Sequence, residues 1–482
     1  MRKTWVIILC SLFPALMCEG QIYFDMSYES DVFSITNEGI WRDVVPTQSG
    51  YVFHSFARDQ GIYDSKLWIV EVDPTGIVQD QNFYGDVGDI FMPVTLLKTD
   101  SSYVGLSRYY SSDPQITPLG QYALIDYDTD LSVNWVAMFG DSLRDDIPMN
   151  MISVTDGLLM IGQSSDSVIS DGDVYLIMSD SAGNFLWEKY YGGNQFEGGH
   201  SVIQTPDQGF LLLGWTRSFG AGQRDFYLVK TDSMGNEEWF ETYGDGNFDT
   251  GESIITMSDG NFLLAGYRNL NEKRQAYLYK VDSNGDVIWQ QDYGEQNTTE
   301  EFRKVIELED GDIIGVGLYD PFGPNPGSDN AGFLVRTDSQ GEVIWQRVYD
   351  KNEHTDLFYS VLATADGGFL LSGQTINEAT NSQDAWLLKV DSVGCTYPNC
   401  TVGLDELGSN KIVVDVWPNP VSEILRLEVV DRFEVSGMRG EEVELTVMDM
   451  QGKEVYNSDL IAQTSQLSVS GWPNGLYVLT IT

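Results

Sequence analysis

The sequence predicts an all-β fold: a seven-bladed β-propeller of four-stranded blades, followed by a small C-terminal β-sandwich. Three observations carry this reading. A pattern recurs at a spacing of 50 to 56 residues, each copy holds a five-residue apolar run, and the pattern stops after Cys400.

The clearest part of the repeat is a hairpin, seen at Asp232, Gly235, Trp239 and Tyr243. Asp180, Trp187 and Tyr191 keep the same frame, as do Asp282, Trp289 and Tyr293, and Asp338, Trp345 and Tyr349. Asp128, Trp135 and Phe139 fit it with a degenerate turn, and Asp73 and Tyr84 fit it with Asp80 where Trp is expected. The seventh copy starts at Asp391 and is cut short by Cys395. Aspartate at the turn start accepts local backbone N–H bonds, and the glycine three residues on takes the left-handed backbone of a bulged hairpin.

Upstream of each hairpin lies an apolar run such as Phe210 to Gly214, Phe262 to Gly266 or Phe369 to Gly373. Runs at 158–162 and 313–317 match it, and those at 103–107 and 51–55 are weaker copies. A short apolar run bounded by turn residues reads as a strand buried on both faces. With one strand before it and two after, each unit supplies four strands, as a propeller blade requires. The seventh unit lacks a Trp strand of its own. Phe24 and Tyr28 carry the Trp-to-Tyr spacing at the other end of the chain, so residues 21–29 are expected to complete the last blade.

Charge limits the partners, and the N-terminus predicts export. With 27 Lys+Arg against 73 Asp+Glu, the net charge of -46 repels phosphate backbones and anionic lipid, which excludes nucleic acid as a partner. Arg2 and Lys3, the apolar residues 5–17 and small residues before Gln21 have the three parts of a secretory signal cleaved after Gly20. A lipoprotein anchor at Cys18 is disfavoured by the bulk of Met17. No later apolar run is long enough to span a bilayer, so the mature chain is expected to have no transmembrane segment. Once the signal leaves, Cys395 and Cys400 remain, an even pair that reads as one disulfide closing a short loop. The expected organisation is a signal peptide at 1–20, the propeller at 21–400, a linker at 401–411 and the terminal domain at 412–482.

The terminal domain shows short alternating strands at 411–416, 425–430, 444–448 and 476–481, which suits a small antiparallel sandwich. Three motifs punctuate it: Trp417, Pro418, Asn419 and Pro420; Asp449, Gly452 and Val455; and Trp472, Pro473, Asn474, Gly475 and Tyr477. In this order they resemble the type A sorting domains of the type IX (Por) secretion system of Bacteroidetes. The resemblance implies the type IX machinery as a partner, passage across the outer membrane, removal of the domain, and release or surface attachment of the propeller. Family members run past the third motif through a further strand with basic residues, whereas this sequence ends at Thr482. The repeats ahead of it resemble the degenerate propellers found before such domains.

Catalytic patterns are weak. Gly140, Asp141, Ser142 and Leu143 look like the nucleophile motif of GDSL esterases. None of His54, His200 and His354 follows an Asp at the spacing that would supply the base, and Phe139-Gly140 sits in register with Tyr191-Gly192. No HExxH or Cys cluster points to zinc. Asp282, Asn284 and Asp286 are weak calcium candidates, as are Asp166, Asp171 and Asp173. The first group also occupies the recurrent turn, where the same oxygens cap backbone. Gly220 and Gly222 lack the third glycine and the helix of a dinucleotide site. The registered Trp and Tyr read as core residues before they read as a sugar platform. No cofactor is expected. The expected function is a non-catalytic binding or structural module of the cell surface or extracellular space that presents loops to a glycan, peptide or protein. The alternative is a glycan-degrading enzyme with carboxylates on the propeller face.

Removing residues 412–482 is expected to leave the propeller in the periplasm, as read by cell fractionation; normal surface delivery of the shortened chain contradicts the sorting assignment.

Overall fold

The computed structural model describes residues 22–28, 43–58, 65–86, 89–111, 119–141, 143–166, 172–270, 273–294, 298–321, 330–351, 355–377 and 382–396, together with strands at 7–10, 413–417, 424–430, 443–449, 454–460, 464–468 and 476–481. The chain forms two compact units, one of Gln21–Tyr397 and the other of Met1–Gly20 with Pro398–Thr482.

The unit of strands Glu197–Gln204, Phe210–Thr216, Asp225–Thr231 and Glu237–Tyr243 shows how sequence becomes blade. The four pair in chain order as an antiparallel meander. Every residue of Phe210–Thr216 and Asp225–Thr231 is buried, because alternate side chains enter different interfaces. Leu212, Tyr227 and Val229 pack with Leu159 and Ile161 of the preceding sheet. Leu211, Leu213, Phe226 and Leu228 pack with Leu264 and Tyr277 of the following one. A strand squeezed between two sheets has no polar face, which is why its sequence is continuously apolar instead of alternating. Glu237–Tyr243 forms the outer edge, and its residues return to a mostly exposed pattern.

Five sheets are separate and four-stranded: those over 144–191, 197–243, 249–293 and 299–349, and the sheet of Leu357–Ala363, Phe369–Asn377 and Ser382–Val390 completed by Phe24–Tyr28. The expectation of seven separate blades is corrected here, since residues 44–139 form one eight-stranded sheet. The join is a single parallel bridge from Ser65 to Ile90, reinforced by the Ser65 hydroxyl donating to the Phe91 carbonyl at 3.1 Å. The first strands of successive units neighbour one another in a closed circuit, in which Val44–Pro46 touches both Leu357–Ala363 and Asp89–Lys98.

The junctions between sheets explain the conserved frame of the repeat. The Tyr243 hydroxyl donates to the carbonyl of Gly285, a turn glycine of the next sheet, at 2.7 Å. Tyr191 reaches Gly235 at 2.7 Å, Tyr293 reaches Gly341 at 2.8 Å and Tyr349 reaches Gly394 at 2.7 Å. Burial pushes the Tyr243 phenol above its usual value, with nearby acids adding to the shift, so it remains a donor at neutral pH. Gly235 has φ 72°, and a Cβ there would lie 2.8 Å from the Trp187 ring, so the turn needs glycine for its backbone and for its neighbour. Across the eight-stranded sheet this latch is degenerate. Asp80 stands at the Trp position, Leu131 takes the turn at φ 61°, and Asn82 donates to the Leu131 carbonyl at 3.1 Å in place of a tyrosine. The backbone bridge that merges two units lies at this same junction.

Phe24–Tyr28 pairs antiparallel with 385–389 and supplies the missing outer strand of the last sheet. It also supplies the latch: Tyr28 donates to the Gly76 carbonyl at 2.6 Å, and a Cβ on Gly76 would fall 2.9 Å from the Phe24 ring. Phe24, Tyr28, Phe53, Trp68, Ala385 and Leu387 share one core cluster, so apolar packing joins the two ends of the repeat array.

In the other unit, Val413–Trp417, Ile424–Val430 and Thr464–Ser468 form an antiparallel three-stranded sheet. A second antiparallel sheet runs Ile7–Cys10, Leu476–Ile481, Val443–Asp449, Glu454–Leu460.

Deleting residues 21–29 removes both the closing strand and its latch. The melting temperature of the purified propeller is expected to fall by several degrees; an unchanged transition contradicts the closure.

A candidate functional site on the innermost strands

In a four-stranded antiparallel meander, the start of the first strand, the end of the second, the start of the third and the end of the fourth share one face. On that face the innermost strands carry a recurrent irregularity. Register shifts fall between Pro93 and Thr95, Pro148 and Asn150, Gly199 and Ser201, Gly251 and Ser253, Phe302 and Lys304, and Phe358 and Ser360. Each leaves one extra residue: Val94, Met149, His200, Glu252, Arg303 or Tyr359. A bulge re-aims a side chain at little cost to the ladder, so one position per first strand is freed from the sheet pattern.

Three successive bulge residues meet. The His200 Nδ1 lies 3.1 Å from a Glu252 oxygen, and Arg303 donates to the other Glu252 oxygen at 2.8 Å. Arg303 also donates to Glu301 at 2.6 Å, and Arg274 pairs with the second Glu301 oxygen. Burial works against the charge of Arg303, but Glu252 and Glu301 outweigh it and raise its pKa above the ordinary guanidinium value. Arg274 is raised in the same way, with burial opposed chiefly by Glu301. Tyr359 donates to Gln374 at 3.2 Å, while Lys304 and Ser360 both contact Asp43, at 3.3 Å and 3.1 Å. Beside the cluster, Arg224 lies over the Trp215 ring at 3.7 Å and Arg274 over Tyr267 at 4.8 Å. These contacts build a polar, charge-bearing surface on strands whose other residues are core.

Acids near the sheet-to-sheet links have a different task. Asp89, Asp146, Glu197, Asp249 and Asp356 each accept a backbone N–H from the link before them, at 2.8, 3.0, 2.8, 2.9 and 2.6 Å. Burial pushes Asp146 and Asp249 up to about 6. They occur one per junction and are tied to backbone, which suits the closing of a link. The sequence carried a signal for them, an acid five to seven residues after the Tyr or Phe of every outer strand except Phe24–Tyr28. It is easily lost among 73 acids.

The residues singled out from sequence are distributed as follows. Asp282 accepts from the N–H groups of Asn284 and Asp286 at 2.8 and 3.0 Å, so its carboxylate caps the turn. Among the described residues, no three His, Cys, Asp or Glu gather where they could hold a metal ion. Asp171, Ser142 and His354 lie outside the described residues. Gly222 donates its N–H to Asp225 at 2.9 Å. Cys395 is buried and disulfide-bonded; its expected partner Cys400 lies outside the described residues. In the terminal unit, Asp449 and Tyr477 are register partners on adjacent strands, which brings the second and third motifs together, and Val455 lies on the neighbouring strand Glu454–Leu460. Pro418, Asn419, Pro420, Gly452, Pro473 and Gly475 lie outside the described residues. No described helix is long and apolar enough to cross a membrane.

That terminal segment decides the question of export. Residues 415–482 match the family described as secretion system C-terminal sorting domain. This segment is a sorting domain. A sorting domain directs the chain to secretion or to attachment at the cell surface. No curated protein sequence matches the chain. Among solved structures, the chain is similar to the polysaccharide lyase Uly1 at 11% identity, covering 80% of this chain and 97% of that one with TM-score 0.44. It is similar to the β-propeller domain of the Trilobed protease from Pyrococcus furiosus at 12% identity, covering 74% and 97% with TM-score 0.41. A puromycin hydrolase matches at 12% identity and TM-score 0.42, covering 72% of this chain and 52% of that one, so the chain spans about half its length. Likeness of this size carries no argument about activity.

His54, which sequence alone left unassigned, is a core residue. Both ring nitrogens are buried and have no hydrogen-bond partner among the described residues, and burial lowers its pKa to about 3 from 6.5. The unfolded chain therefore binds a proton below pH 6.5 that the folded chain refuses until about pH 3, so this residue's contribution to stability is intact above pH 6.5 and erodes as pH falls through that window. His54→Leu is expected to raise stability by about 1–3 kcal/mol at neutral pH, by removing unpaired polar atoms from the core. It is also expected to flatten the acid side of the profile. Chemical denaturation from pH 7 to pH 4 checks both; an unchanged slope contradicts the assignment.

Proposed function

We propose that this is a secreted or surface-attached, non-catalytic binding module that takes an extracellular glycan, peptide or protein at the face bearing the bulged innermost strands. The supporting observation is the contact of His200, Glu252 and Arg303 across three successive sheets. Side chains there are freed from the ladder by bulges, whereas the buried acids of the same face are held by backbone. Export by the sorting domain places such a surface where extracellular ligands are.

In the same reading the eight-stranded sheet counts as two blades, which gives a ring of seven. The closed circuit of first strands and the presence of one outer strand per repeat support that count. Cleavage after Gly20, a Cys395–Cys400 disulfide closing the end of the last blade, and removal of the terminal domain by the type IX machinery complete the proposal.

A glycan, peptide and protein binding screen on the purified secreted protein, with and without calcium, tests it. The expected result is saturable binding of one ligand class, weakened about tenfold or more by Arg303→Met, with no turnover. Depolymerisation of a polysaccharide overturns the non-catalytic reading in favour of a glycan-degrading enzyme, and binding untouched by Arg303→Met removes the site from this face.

A further inference from the structure

Two successive sheets repeat one arrangement on this face, and each serves as the other's control. In the sheet over 249–293, Tyr267 directly follows the apolar run 262–266 and lies under Arg274, near the start of the third strand. Glu301, two residues before the bulged Arg303 of the next sheet, neutralises Arg274. One sheet earlier Trp215 takes the place of Tyr267, and Arg224 takes that of Arg274. The place of Glu301 is held by Thr250, two residues before the bulged Glu252.

Threonine cannot supply the missing charge. Arg224 reaches the Thr250 hydroxyl oxygen only at 3.5 Å, and its buried Nε has no hydrogen-bond partner among the described residues. The exposed Arg217 shares the Trp215 ring at 5.9 Å. Neither Arg217 nor Arg224 has a carboxylate ion pair among the described residues, and Glu252, which acts on Arg224 from a distance, is bonded to Arg303. Burial is the main influence against the charge of Arg224 and the neighbouring Arg217 adds to it; Tyr267 and Glu252 act in its favour without outweighing burial. In a chain with 73 acidic and 27 basic side chains, two adjacent guanidinium groups without a carboxylate are unusual. Trp215, itself stacked on Phe196 at 5.6 Å, fixes the Arg224 plane. A guanidinium held in one plane offers paired donors to an oxyanion.

We propose that Arg217 and Arg224 bind an oxyanion, a carboxylate or sulfate group of the extracellular ligand, in the role that Glu301 plays for Arg274 one sheet on. The inference rests on the ligand-binding reading of this face and names the chemistry it recognises.

Titration calorimetry of the purified secreted protein with sodium glucuronate and with sodium sulfate, at constant ionic strength, tests it. The expected result is saturable binding of at least one of them. The anion that binds identifies carboxylate or sulfate as the recognised group. Arg217→Gln, at an exposed position, is expected to weaken binding about tenfold. Thr250→Glu, which installs the carboxylate found at position 301, is expected to abolish it while preserving a cooperative thermal transition. Binding of neither anion, or undiminished binding by Arg217→Gln or a folded Thr250→Glu protein, overturns the proposal. A ligand found in the binding screen and retained by Arg217→Gln overturns the anion site alone. A screen that yields no ligand counts against the wider reading, whatever the anions do.

Discussion

A tyrosine hydroxyl donated from the outer strand of one sheet to a turn glycine of the next ties a row of separate sheets together. Apolar packing between neighbours gives most of the adhesion, because the two middle strands of each unit are buried on both sides. Packing is less directional than a hydrogen bond, which fixes donor and acceptor to one geometry. The bond from Tyr243 to Gly285, with Trp239 over the same turn, fixes register and distance at once. That requirement reaches back into the sequence. The tyrosine must end the fourth strand, the tryptophan must stand four residues before it, and the partner turn must present a carbonyl through a left-handed glycine. At the far end of the chain Tyr28 meets the first condition, Phe24 stands in the place of the tryptophan, and Gly76 meets the third, so the array closes by the same chemistry that spaces it.

Much of this was legible because the repeat prints its constraints many times. The Trp-to-Tyr spacing located the outer strands, including Phe24–Tyr28, and the apolar runs located the middle ones. The merged sheet over 44–139 was less legible. Asp80 and Leu131 marked the junction as degenerate, but the Ser65–Ile90 bridge is a backbone contact between units that no side chain announces, of the kind that Gly172 makes with Phe196 and Arg224 with Phe248. The candidate site was harder still. A bulge adds one residue to a first strand, and in sequence His200, Glu252 and Arg303 look like ordinary polar positions in the middle of a strand. Only pairing shows that they occupy one position in three sheets. The junction acids were hidden for the opposite reason, being conspicuous in role but lost in an acidic composition.

Structure and export fit one division of labour. The fourth strand of each unit lies at the exposed edge of its sheet, while the two middle strands are core. The face with the bulges brings His200, Arg303 and Arg274 together, with Arg224 beside them, on strands that also carry acids. Buried acids there hold the links, leaving Glu252 and Glu301 to organise the arginines. Where Thr250 replaces the organising carboxylate, the arrangement is left open toward a ligand. The sorting domain at 415–482 carries this surface out of the cell.

The latch has a built-in comparison. Tyr243 makes the bond to the next sheet, whereas Tyr84, at the same position across the degenerate junction, is exposed and yields that task to Asn82. Equilibrium denaturation of Tyr243→Phe and Tyr84→Phe, each losing one hydroxyl and nothing else, measures the interaction directly. The predicted result is a loss of about 1–2 kcal/mol for Tyr243→Phe and a change within about 0.5 kcal/mol for Tyr84→Phe. Equal effects of the two substitutions would contradict the account of how the ring is held.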